Sequence, residues 1–184
     1  MNKIHKTFIA TAAVATVVAP TAALATTDFK VVKSTDYYAE AIQSLAERGI
    51  IKGYTEDQTF RPGKDVTRGQ AAKIIAGILG YDTVNVKDPQ FKDVQSTNEY
   101  FGAIAALAER GIINGYPETG TFKPNQSMTR HQMAKVISLA FELKSDATDL
   151  PFTDVSKGYE NYVAALVENK ITTGKTATTF DGTA

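Results

Sequence analysis

The 184-residue chain contains no cysteine, which excludes disulfides, a thiolate nucleophile and cysteine metal clusters. Histidine is nearly as scarce, with His5 and His131 the only two, so a multi-histidine zinc site within this chain is also excluded. An excess of one charge is missing too: 20 Lys+Arg face 20 Asp+Glu. That balance gives no broad basic footprint for nucleic acid, although a local anion site stays open. The apolar run from Phe8 to Ala19 counts 12 residues, and no later stretch approaches the roughly 20 that a membrane-crossing helix needs. No G-x-S-x-G, H-E-x-x-H or P-loop motif follows it, and the acidic residues lack EF-hand spacing. The segment therefore reads as a non-enzyme that needs neither metal nor cofactor.

What is present begins with an export signal. Lys3 and Lys6 precede the apolar run, and Ala23-Leu24-Ala25 supplies the small-residue exit that signal peptidase accommodates. Residues 1–25 are thus expected to be a signal peptide. Its removal leaves 159 residues with 18 basic and 20 acidic side chains, a net charge of −2.

The remainder is a duplication. Moving Phe29–Gly80 forward by 62 residues lays it on Phe91–Glu142 without a gap, with 27 identities in 52 positions. The matched stretches include LAERGII, G-Y, T-F, P and T-R-x-Q. A third copy opens at Phe152–Val155 and keeps Gly174 and Phe180, but Ala184 arrives before any counterpart of T-R-x-Q. The expected divisions are 26–87, 88–148 and a partial unit at 149–184. Fraying is expected after about Thr173, because Phe180 has no following second helix to cover it.

Each full unit reads as two helices around a glycine-rich connection. Tyr38, Ala41, Ile42, Leu45 and Ala46 form one apolar stripe; Tyr100, Ala103, Ile104, Leu107 and Ala108 form its counterpart. Ser96 and Glu99 have the spacing of a capping box, and Gly49 and Gly111 are placed to close these helices. The second helix of unit one is expected over Arg68 to Leu79, with Thr67 and Gln70 as its capping box, repeated by Thr129 and Gln132. The connections suit loops or very short strands near Ile50-Ile51 and Thr59-Phe60.

The start of each second helix is the sharpest candidate site. Backbone N–H groups there favour an anion, and Arg68 and Arg130 follow the caps Thr67 and Thr129 with planar donors that fit a carboxylate or phosphate. The competing reading pairs each arginine with a local acid. Both arginines lie outside the apolar stripes, so alanine in their place is expected to preserve the fold. Tyr54 and Tyr116 follow Gly53 and Gly115; they suit either sugar stacking or covering the inter-helix core. The glycines suit either close ligand approach or turns. His131 reads as an incidental surface histidine.

The ordered F-x-D-V, A-I-x-x-L-x-x-x-G-I-I-x-G-Y, T-F-x-P and T-R-x-Q pattern resembles the S-layer homology (SLH) domain family of bacterial envelope proteins. The resemblance implies a mainly all-α fold of tandem SLH repeats: helix-loop-helix units in a pseudo-three-fold helical bundle, the third truncated here. It implies noncovalent anchoring to the cell wall through pyruvylated secondary cell-wall polysaccharide, most often as the N-terminal part of an S-layer protein. The family's T-R-A-E arginine maps to Arg68 and Arg130, so the implied ligand-binding set is Arg68, Arg130, Thr67, Thr129, Gly53, Gly115, Tyr54 and Tyr116. Gln70 and Gln132 depart from the family's usual acid, Val31 from its aspartate, and Tyr from its first-helix tryptophan. Two rivals stand beside this reading: a wall-targeting module of a secreted hydrolase, and a glycan-independent protein-interaction array. Self-association through regions beyond this segment is a further expectation of the S-layer reading.

Overall fold

Short apolar stripes and defined stops divide the described residues, 29–147 and 149–184, into five helices in the computed structural model. They are α1 (Ala39–Glu47), α2 (Arg68–Leu79), α3 (Phe101–Glu109), α4 (Arg130–Ala140) and α5 (Glu160–Glu168). The expected signal peptide lies outside the described residues. Pairing elsewhere among the described residues is limited to isolated bridges, Tyr54 with Thr59, Tyr116 with Thr121 and Thr67 with Ser127. The fold is mainly all-α, as expected. The small pairings fall across the turns at Tyr54–Thr59 and Tyr116–Thr121 instead of at Ile50-Ile51.

The caps explain the helix ends. Thr67 Oγ1 accepts from Gln70 N at 3.3 Å while Gln70 Oε1 accepts from Thr67 N at 3.0 Å, and Thr129 and Gln132 repeat the exchange. No such box forms at Ser96 and Glu99. There, Asn98 Oδ1 accepts from Tyr100 N at 2.9 Å in a turn just ahead of the helix, and α3 starts after Tyr100 without a side-chain cap. Gly49 (φ 69°) and Gly111 (φ 67°) close α1 and α3 in the left-handed region. Unit three places Lys170 (φ 58°) at the equivalent turn and bears the steric cost of a side chain there.

Packing crosses the unit boundaries. Helix α2 lies against α3, α4 lies against α5, and α2 meets α4. The second helix of one unit thus covers the first helix of the next. The largest core contains Ile75 and Ala76 of α2, Ile104 and Leu107 of α3, Val136 and Ala140 of α4, and Phe122. A second core gathers Phe152, Val163, Leu166 and Phe180 beside Ala134, and a small third one holds Phe29, Ile42 and Ala46. The loop after α2 passes so close to α3 that a Cβ at Gly102 would clash with the Thr83 carbonyl oxygen.

The tail of unit three differs from the expected frayed end. Phe180 is 2% exposed and packs on Phe152 and His131. Asp154 accepts from Phe180 N at 2.7 Å and Asp181 N at 2.8 Å. Arg130 N and His131 N donate to Ala184 O and Gly182 O. The segment takes the same place beside α4 that residues 122–126 occupy beside α2.

Candidate functional site

The helix starts carry positive potential, but their amide groups are already occupied. Arg68 N donates to Gln126 O at 2.9 Å, Gly69 N to Pro124 O at 2.8 Å, and Gln70 N to the Thr67 hydroxyl. The start of α4 repeats the pattern with Ala184 O, Gly182 O and Thr129. Backbone capture of an anion at these termini, expected from sequence, is therefore displaced by contacts with the following unit. Thr67 and Thr129 act as caps in this arrangement.

Arg68 is 6% exposed. Its Nε donates to Phe122 O at 2.8 Å and its Nη2 to Asn114 O at 3.0 Å. The guanidinium carbon lies 4.5 Å from the Phe122 ring centroid and 5.0 Å from that of Tyr116. The ion pairs of the described residues join other side chains, so no local acid neutralises Arg68. That outcome differs from the acid-paired reading, and the buried, bonded guanidinium also differs from a dispensable surface arginine. Burial pulls its pKa below the ordinary arginine value, against the opposing influence of Tyr116, Tyr159 and Asp93. Arginine keeps its proton in proteins. The burial therefore stands as an electrostatic cost that a bound anion would offset.

Arg68 opens on a groove of about 150 Å³ shared with Asn114, Gly115, Tyr116, Gln132, Lys135 and Tyr159. Its lining contains no acidic residue. Three units meet here: α2 of the first, the connection and α4 of the second, and Tyr159 of the third. Arg68, Gly115 and Tyr116 of the expected set are brought together. Gly53 and Tyr54 line a different groove of about 380 Å³, with Lys73, Glu99 and Tyr100 but without either T-R-x-Q arginine. Arg130 lies apart from both linings; it is half-buried, and its Nε donates to Phe180 O at 2.9 Å.

Comparison with known proteins matches the three-unit organisation. The S-layer homology domain profile matches residues 29–72, 90–134 and 151–183. The chain belongs to the S-layer homology domain family. Such units are noncatalytic modules that anchor proteins at the bacterial cell wall, and the related proteins include surface-layer proteins and polysaccharide-degrading enzymes. The chain is similar to the surface-layer 125 kDa protein of Lysinibacillus sphaericus, 36% identical over 96% of this chain and 15% of that protein. It is likewise 36% identical to the S-layer protein sap of Bacillus anthracis, over 77% of this chain and 17% of that protein. An endoglucanase of Bacillus sp. (strain KSM-635) is also 36% identical, over 67% of this chain and 12% of the enzyme. The chain thus spans a small part of each of these relatives.

Two features of the SLH units escaped sequence reasoning. Asp93 accepts from Phe122 N and Lys123 N, both at 2.7 Å, tying the start of unit two to its T-F-x-P turn. Asp154 does the same in unit three, and these two backbone bonds hold its carboxyl below the ordinary range. Unit one has Val31 at this place, where Asp57 instead pairs with Arg61 at 2.7 Å. The repeated D-V to T-F spacing was the available signal. His131, read as incidental, is 3% exposed and stacks on Tyr159 at 4.9 Å, with Nε2 accepting from Ser156 N.

The glycines and tyrosines resolve differently. A Cβ at Gly115 would meet Phe91 and the Thr121 carbonyl oxygen, both at 2.5 Å, and Gly53 is equally confined by Phe29 and Thr59. Close packing of the F-x-D-V phenylalanine therefore requires these glycines whatever binds nearby. The tyrosines remain half-buried and stack with cations: Arg61 lies 3.8 Å from the Tyr54 centroid and Lys123 4.3 Å from that of Tyr116.

Proposed function

We propose that this chain anchors a secreted protein to the bacterial wall by binding secondary cell-wall polysaccharide, with a pyruvate ketal carboxylate held against Arg68. The observation that carries the reading is a buried guanidinium without an acidic partner in an acid-free groove. Tyr116 supplies a ring for a sugar face, while Gly115 keeps the loop low. A second cavity of about 670 Å³ adjoins the same Asn114–Tyr116 loop, leaving room for a polymer to continue past it. Arg130, Tyr54 and Gly53 are proposed as weaker contacts that add avidity when one polymer reaches them.

The parent protein is proposed as an S-layer protein, with self-association supplied elsewhere in it. Likeness to the surface-layer protein extends over 96% of the chain, against 67% for the endoglucanase. Purified chain mixed with wall polysaccharide before and after mild acid removal of pyruvate tests the binding claim. Binding is expected to the pyruvylated polymer and to be greatly reduced for the stripped one. Equal binding to both would overturn the carboxylate reading, and association with envelope protein after all glycan is removed would favour a protein-interaction array.

A further inference from the structure

The repeat relates the two grooves residue by residue, and they differ in how one charge is treated. A shift of 62 carries Gln70 onto Gln132, Lys73 onto Lys135 and Ile74 onto Val136. Lys73 Nζ lies 3.3 Å from a Glu99 carboxylate oxygen, so this lysine is paired by the first groove's own wall, whose other cations are Lys52, Arg61 and Lys64. Where unit two reads Glu99-Tyr100, unit three reads Gly158-Tyr159. No carboxylate occupies the corresponding place. Glu160, two residues on, turns its carboxylate back to accept from Gly158 N.

Lys135 consequently has no ion pair among the described residues; its closest aromatic neighbour is the Tyr162 ring, 5.7 Å from Nζ. It is half-buried on α4 and lines the same groove as Arg68. A hydrogen-bonded, buried guanidinium and an unpaired ammonium thus face one acid-free space. Arginine gives a rigid fork, whereas lysine gives a compact charge that can follow the anion.

We propose that Lys135 is the second anion-binding residue of this groove and sets its preference for a charged over a neutral glycan, whereas Lys73 takes no part. This rests on the reading of Arg68 as the carboxylate site. The experiment uses the full chain and two probes, a monosaccharide bearing a pyruvate ketal and the methyl ester of that ketal. Titration calorimetry on wild type, K135Q, K135R and K73Q reads the affinities, with circular dichroism confirming the fold of each.

Wild type is expected to prefer the free carboxylate. K135Q should weaken binding of the ketal by about tenfold, as loss of one charge-assisted contact implies, without changing that of the ester. K135R should stay within about threefold of wild type and K73Q within about twofold, since both keep the groove's free cation. Unchanged ketal affinity in K135Q, or an equal loss in K73Q, overturns the assignment of Lys135 while leaving Arg68 intact. A wild type that binds ketal and ester equally overturns the Arg68 reading and this inference together.

Discussion

Replacing Arg68 with alanine should destabilise the protein far more than the same change at Arg130. Arg68 bonds two carbonyl oxygens on the next unit, one of them on Phe122, whose residue is fully buried. Leaving that buried oxygen unsatisfied costs about 1–3 kcal/mol, and loss of the second, more exposed contact adds about 1 kcal/mol. A total of about 2–4 kcal/mol is therefore expected for R68A. Arg130 makes one such bond and is only half-buried, so R130A should cost about 1–2 kcal/mol. Urea unfolding followed by far-UV circular dichroism measures both, provided the transitions are two-state. Stability of R68A within about 0.5 kcal/mol of wild type would refute the claim that Arg68 clamps the first two units together. So would an equal cost for the two variants. Because R68A changes fold stability as well as the groove, its binding defect cannot stand alone as proof of contact with ligand.

Two further outcomes follow from local geometry. T67A and T129A should each lose about 1 kcal/mol in the same assay, because each removes one half of a complete capping box, and the serine variants should recover most of it. For pH, burial lowers the His131 pKa below its ordinary 6.5, so the folded form holds fewer protons than the unfolded one in that region. Stability should be full above about 6.5 and fall as pH drops toward the lowered value, where protonation also breaks the bond that Nε2 accepts from Ser156 N. Thermal unfolding across this range should show a shallower pH slope in H131Q than in wild type.

Much of the architecture was readable from periodicity because its determinants are local. Thr67 and Gln70 specify a start, the Ala71–Leu79 spacing specifies a face, and α2 runs from Arg68 to Leu79 as expected. Gly49 and Gly111 mark the left-handed stops for the same reason. The sequence also pointed to Arg68, but not to its surroundings. Those depend on which unit's loop folds over which helix, a long-range choice that leaves no local periodicity. The occupied amides at the helix starts come from Pro124 and Gln126, some 55 residues away along the chain. His131 illustrates the same limit: its partner rings, Tyr159 and Phe180, belong to the next unit. The Ser96–Glu99 box failed because α3 begins only at Phe101, with Tyr100 as its N-cap, so Ser96 and Glu99 both lie ahead of the helix.

The handover of carbonyl oxygens from each connection to the preceding unit's second helix has a bearing on how such arrays are cut and joined. The 62-residue period in the sequence does not coincide with the stretch that carries both partners of a clamp. The stretch that carries both partners of one clamp begins at a T-R-x-Q helix, passes through the next unit's first helix, and closes at the T-F-x-P turn, as Thr67–Gln126 does with Arg68 locked to Phe122 and Gln126. Splicing arrays at the apparent repeat joints, ahead of F-x-D-V, would separate every clamp from its socket. Splicing just after the T-F-x-P turn keeps clamp and socket on one piece, while the groove still draws Gln132 and Lys135 from the helix that follows and Tyr159 from the unit after it.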